Sequence, residues 1–202
     1  MHRFVDTEEV TSSNLVPPTI LQHGAATVPY TSIWQPFDKT EGLLEFAMPK
    51  KRSWREKLAD SKGLPRVVSI PENMSRWGSG TLVIPAPSEV DELMKRVPAG
   101  SVTTINEIRA ALARKHGTDI CCPMTAGIFA TIAARAANEA EAEGETDMTP
   151  YWRTLKTGGE LNPNYPGGVE SLKLRLEAEG HSVVSRGKKL VVLDYERSLG
   201  QL

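Results

Sequence analysis

Two helical segments joined by a short turn, the second opening on a proline, limit this fold more than any other feature of the chain. Thr104 can N-cap the first segment, with Glu107 in the capping-box position three residues on. Ile105, Ile108 and Leu112 then recur at helical spacing through about Lys115, and His116-Gly117 stops the run. Thr118-Asp119-Ile120-Cys121-Cys122 follows, and Pro123 suits the first turn of a helix. That helix carries Met124, Ile128, Phe129, Ile132 and Ala136 toward Glu143. A preceding helix is expected from an N-cap at Ser88 through Arg96, with Val90, Leu93, Met94 and Val97 on one face. Another runs from Val169 to Glu179 and closes at Gly180. His181 to Ser185 and Lys189 to Asp194 alternate as a hairpin around Arg186-Gly187-Lys188. Helix-turn-helix plus a basic-tipped hairpin predicts a mainly α fold with a small β-hairpin, a winged helix-turn-helix.

The chain of 202 residues divides by composition into three parts. Residues 1–47 are rich in Thr, Ser and Pro, with isolated apolar anchors at Ile33, Trp34 and Phe37, and predict an extended or disordered arm. Residues 48–87 form a basic segment. Between Met48 and Arg76 there are eight Lys and Arg against three Asp and Glu. Ser53 with Glu56 predicts a short capped helix there, and Arg66 to Ile70 and Thr81 to Ile84 two short strands. Trp77-Gly78-Ser79-Gly80 lacks the lysine and following helix of a phosphate loop. Residues 88–202 form the regular helical domain. The net charge of -1 excludes a polyelectrolyte chain. No apolar run reaches the roughly 18 residues of a membrane span. Met1 to Val10 has no apolar signal core, and the only cysteines are the adjacent Cys121 and Cys122; together these predict a reducing, cytoplasmic setting.

Between the last two long helices lies Thr149-Pro150-Tyr151-Trp152-Arg153, then a loop dense in Gly, Pro and Asn as far as Gly168. Two adjacent aromatics there must fill a core or face a partner. Several motifs now coincide in order: Val97-Pro98-Ala99-Gly100-Ser101-Val102-Thr103-Thr104 with Glu107, then Pro150-Tyr151-Trp152-Arg153, Asn164-Tyr165-Pro166-Gly167-Gly168, and Leu176 to His181 with Glu179. On these residues the stretch Ser88 to His181 resembles the DNA-binding, active-site domain of alkylguanine-DNA alkyltransferases. In that family a Pro-Cys-His-Arg motif supplies the alkyl acceptor and its activating base, and a glutamate completes the buried network. Here Tyr151 and Trp152 occupy the cysteine and histidine positions. The chain is therefore similar to alkyltransferase-like proteins, which lack the acceptor cysteine and bind alkylated DNA.

The resemblance implies a non-enzymatic DNA-binding protein, possessing a winged-helix domain of the alkyltransferase type whose helix at Pro123 enters the minor groove. Duplex DNA, lesion-bearing or not, is the implied partner, with a repair or regulatory protein as a second, and no cofactor, metal or membrane is called for. Tyr151, Trp152, Arg153, Tyr165, Gly167, Gly168 and Glu179 form the base pocket or its vestige. The aromatic pair either stacks an extruded base or plugs the cavity. Candidate DNA contacts are Thr104, Thr125 (the approximate counterpart of the family's arginine finger), Arg135, and Arg186, Lys188 and Lys189 at the hairpin tip. Residues 88–202 hold 14 Lys and Arg against 16 Asp and Glu, so the basic stretch 48–76 is expected to help hold phosphates. Two alternatives stay open: a thiol enzyme or sensor using Cys121 or Cys122 near a helix start, and a protein-interaction module using the acidic Glu139 to Asp147 face and the N-terminal arm.

Overall fold

Residues 51–70 and 77–202 are described by a computed structural model. The expected arm (1–47) and the charges Lys50, Glu72 and Arg76 lie outside the described residues. The first element is α1 (Trp54–Ala59), and it forms as its capping box predicts: Ser53 Oγ accepts the Glu56 N–H while Glu56 accepts that of Ser53. Six residues with none buried cannot hold a helix alone. The start of α1 is held from outside, by the Glu139 carboxylate, which accepts the N–H groups of both Trp54 and Arg55.

Strands β1 (Arg66–Ser69) and β2 (Thr81–Ile84) pair antiparallel, and β2 pairs parallel with β4 (Ile120–Cys121). Helix α2 (Pro87–Lys95) begins before the expected Ser88 cap. Proline suits its first turn, and Glu89 reaches back to accept the Ala86 N–H, so Ser88 lies inside the helix. Helix α3 (Ile105–His116) has its predicted cap, Thr104 Oγ1 accepting from Glu107 N–H, and ends at Gly117 with φ 61°. Pro123 opens α4 (Pro123–Ala142). A short 3-10 turn over Tyr151–Arg153 leads into β5 (Thr154–Leu155), which pairs parallel with β3 (Thr103–Thr104). Helix α5 (Gly168–Ala178) and the hairpin β6 (Val183–Arg186) and β7 (Lys189–Val192) complete the chain. The described residues are thus helix-rich, with three small sheets: the expected hairpin, a sheet that joins the two expected strands β1 and β2 to the unexpected β4, and the unexpected pair β3–β5. The unexpected strands β3, β4 and β5 are two residues each, too short to show a period.

The core lies between α2, α3, α4 and the 151–176 region. Val90, Met94, Ile108, Leu112, Leu155, Leu172 and Leu176 are all buried, each contributing roughly 1.5–3 kcal/mol by leaving water. Helix α4 turns Ala126, Ala130, Ala133, Ala134 and Ala137 inward. Small side chains let α2 pack close against it. The opposite face of α4 carries Met124 and Ile128 into solvent.

Candidate functional site: an aromatic plug beside an open groove

Thr149 fixes the start of the central loop, its hydroxyl donating to Asp91 on α2. Tyr151 then turns into the core and is only 1% exposed. Its ring meets Trp152 edge-on (5.5 Å, 79°) and Tyr165 edge-on (5.9 Å, 87°), the favoured geometry for aromatic pairs. The Arg175 guanidinium covers this cluster, 4.7 Å from the Trp152 ring and 5.7 Å from that of Tyr151, and is itself paired with Glu141 at 2.8 Å.

Glu179 holds the other side of the loop. Trp152 Nε1 donates to it at 2.8 Å, and Arg153 donates through Nε at 2.9 Å and a terminal nitrogen at 2.7 Å. The remaining Arg153 nitrogen donates to the Val97 carbonyl at 2.7 Å. One arginine therefore clamps the end of α2, the central loop and the end of α5. Burial pushes the Glu179 carboxyl up, but the bonds from Arg153 and Trp152 more than offset this and hold it below the usual range. It is an anion at neutral pH.

The pair at 151–152 does not supply alkyl-acceptor chemistry. Burial raises the Tyr151 phenol above its usual value, so it stays protonated. The indole of Trp152 only donates, and so cannot act as a base. Of the two sequence readings, the geometry favours the plug: Tyr151 is buried and Trp152 is tied down by Glu179, while Tyr165 lines an open space.

That open space is a groove of about 650 Å³ on the outward side of Tyr165. The outer face of α4 forms one wall, with Met124, Gly127, Ile128, Thr131 and Arg135. Lys156, Asn162, Asn164 and Tyr165 form the other, and Trp54 of α1 closes one end. No carboxylate lines it. Asn162 shapes its loop by accepting the Asn164 N–H, and burial pushes the Tyr165 phenol well up. Gly167 is required where the loop enters α5: its φ is 75°, and a Cβ would lie 2.5 Å from that of Ser171. Gly168 begins α5.

The remaining expected site residues are scattered. Thr104 is buried and spent as a helix cap, leaving no surface for a ligand. Thr125 donates its hydroxyl back to the Cys122 carbonyl. Arg135 lies 4.7 Å from the Trp54 ring and has no carboxylate partner among the described residues. Arg186 and Lys188 are exposed and make no ion pair among the described residues, whereas Lys189 shares Glu160 with Lys156, both at 2.7 Å. The basic segment is less free than its composition predicts. Arg52 pairs with Asp60, Arg55 pairs with Glu143 and Glu145, and Lys57 lies 3.7 Å from the Trp54 ring. The acidic end of α4 pairs with Arg55 of the basic segment, so part of that segment's charge is neutralised within the molecule, and with it part of the acidic face expected to bind a protein.

Cys121 is in β4, paired with Val83, and burial pushes its thiol up to about 12. Cys122 caps α4 and is also buried. Among the described residues no group of three or more His, Cys, Asp and Glu could hold a metal, and no helix is long and apolar enough to cross a membrane. Sequence reasoning missed Trp54, Lys156, Asn162 and Asn164. The Asn-x-Asn turn was a usable signal, but nothing local places Trp54 beside α4.

No family model matches the chain, and no curated protein does. Among solved structures it is similar to S. pombe Atl1 in complex with damaged DNA containing O6-carboxymethylguanine, at 20% identity and a TM-score of 0.38. It is also similar to S. pombe ATL in complex with DNA, at 21% identity and a TM-score of 0.42. Each likeness covers 57% of this chain and 94% of the other.

Proposed function

We propose that the protein is a non-enzymatic DNA-binding protein of the alkyltransferase-like type. Helices α3 and α4 act as the helix-turn-helix and β6–β7 as the wing. Helix α4 enters the minor groove of a duplex, and a displaced base is received in the groove beside Tyr165 rather than at the plugged 151–152 position. The observation that carries this reading is the groove itself. It is large enough to admit a base, is walled by apolar and amide side chains, and carries Arg135 and Lys156 (the latter paired with Glu160) with no carboxylate in its lining. Arg186 and Lys188 at the wing tip contact phosphates. The acceptor chemistry is gone, so recognition proceeds without alkyl transfer.

Fluorescence anisotropy with a plain duplex and one holding O6-methylguanine tests this. Binding should weaken steeply with salt and favour the lesion, and incubation with a methyl-labelled duplex should leave the protein unlabelled. No binding to either duplex at low salt rejects the proposal. A second reading, a protein-interaction module, is favoured by one observation: Met124 and Ile128 are 57% and 56% exposed on the same helix face. Salt-insensitive association without DNA affinity would support it.

A further inference from the structure

The charges at the end of helix α4 run against two physical rules. A helix C-terminus carries a partial negative charge and is stabilised by cations. The last turn of α4 holds no Lys or Arg, while Glu139, Glu141 and Glu143 close it and Glu145 lies just beyond. A helix that approaches DNA should also present positive charge rather than carboxylates. Glu139 lies about 6 Å of helical rise past Arg135 of the groove, within the roughly 10 Å over which charges act at 0.1 M salt. Both conflicts are relieved from outside the helix. Arg175 of α5 pairs with Glu141 at 2.8 Å. The other three carboxylates are all covered by α1. Glu139 accepts the Trp54 and Arg55 N–H groups at 2.8 and 3.1 Å, and the Arg55 guanidinium bridges Glu143 at 2.6 Å and Glu145 at 2.8 Å. The acids of α1 and its C-cap are themselves engaged, Glu56 by the Ser53 N–H and Asp60 by Arg52. Lys57 lies against the Trp54 ring, so α1 also brings a cation to the end of the groove.

We infer that α1 is a charge mask, which covers the acidic end of α4 through Arg55 and so lets a duplex backbone approach that helix along its length. The inference rests on the DNA-binding reading above and adds what allows an acidic-ended helix to meet a polyanion. Stability does not account for the contact. Helix α1 buries none of its residues, and Arg55, Glu143 and Glu145 are 45%, 62% and 46% exposed, so these ion pairs add little to folding. Exposed charges act instead on the field outside the molecule, which sets how a charged partner is attracted or repelled. The docking is also self-consistent: a six-residue helix does not persist alone, and the carboxylates that α1 covers are the groups that hold it in place.

The test is anisotropy of an end-labelled duplex with the full chain over a range of salt, on variants at exposed positions checked for unchanged melting. Arg55→Ala uncovers Glu143 and Glu145 and should weaken binding by about fivefold to tenfold at roughly 50 mM salt, a loss that shrinks as salt rises. Arg55→Ala/Glu143→Gln/Glu145→Gln removes the carboxylates that Arg55 covered and should bind as wild type does. Arg55→Ala/Glu92→Gln/Glu177→Gln makes the same change in net charge on α2 and α5 and should stay weak. Binding by Arg55→Ala that equals wild type overturns the mask, and tighter binding overturns it by making α1 a strap that holds DNA off. A Glu143/Glu145 triple variant that stays weak also overturns it, because Arg55 then grips a phosphate itself. So does recovery in the Glu92/Glu177 variant, which would reduce the effect to overall charge. Each of these results leaves DNA binding standing. If wild-type protein binds no duplex at low salt, the DNA-binding reading fails and the mask with it.

Discussion

Replacing Glu179 with alanine should destabilise the whole described fold, because three separate parts of the chain meet at that carboxylate. It accepts the Trp152 indole N–H and two donors of Arg153, which also holds the Val97 carbonyl. The pair is largely buried, with side-chain exposures of 14% for Arg153 and 15% for Glu179. Removing one member of a buried ion pair costs about 3–5 kcal/mol, since the other is left as an uncompensated charge. The residual exposure lets water reach Arg153, so we expect about 2–4 kcal/mol. For a chain of this size that lowers the melting temperature by roughly 5–15 °C. The pH dependence has a definite sign. The folded carboxyl is held below its unfolded value, so its contribution is fully present above the unfolded pKa and is lost as pH falls through the folded one. The deficit of Glu179→Ala should therefore be largest at neutral pH and shrink below about pH 4. Thermal and urea unfolding by circular dichroism at several pH values reads both effects. Glu177→Ala is the control, since its contact with Lys173 is exposed and 4.0 Å long, and it should change stability by no more than about 0.5 kcal/mol. If Glu179→Ala and Glu177→Ala unfold alike, or if the deficit does not depend on pH, the clamp is not what holds the loop.

Other outcomes follow from the same geometry. Trp152→Phe keeps the ring and loses only the indole donor, and should cost about 1 kcal/mol in urea unfolding. Tyr151→Ala empties a fully packed position and should cost about 3–5 kcal/mol; a smaller loss in the same assay would mean the plug is loose. Gly127→Ala should raise stability by about 0.5–1 kcal/mol, because the methyl enters open space, and a lowered melting temperature would contradict the free space around it. In a Cys122→Ser variant, Cys121 should resist iodoacetamide at neutral pH and react once urea unfolds the chain, as followed by intact mass; fast labelling of the folded protein would revive a thiol function.

Much of the architecture was legible because it is written at short range. The Ser53–Glu56 and Thr104–Glu107 caps, Pro123 at the head of α4 and the turn at Arg186-Gly187-Lys188 each act within a few residues, and each was placed from the sequence. The strand β4 was not, because two residues show no periodicity, and its partner β2 lies about forty residues away. Missing that pairing left the cysteines looking like thiols at a helix start, when the sheet buries Cys121. The start of α2 was misplaced because a serine suggests a cap more strongly than an alanine whose N–H is satisfied by Glu89.

By itself the sequence determined which local structures could form, and that a tyrosine and a tryptophan follow Pro150. Those are properties of residue identity and near-neighbour spacing. Only the tertiary structure decided whether the aromatic pair faces outward or is spent on packing, and that the open groove lies beyond Tyr165 with Trp54 closing its end. It also decided which cations are free, since Arg55 and Lys189 find carboxylates 88 and 29 residues away. Burial and charge pairing are set by distant segments meeting in space, and no local pattern encodes which segments those are.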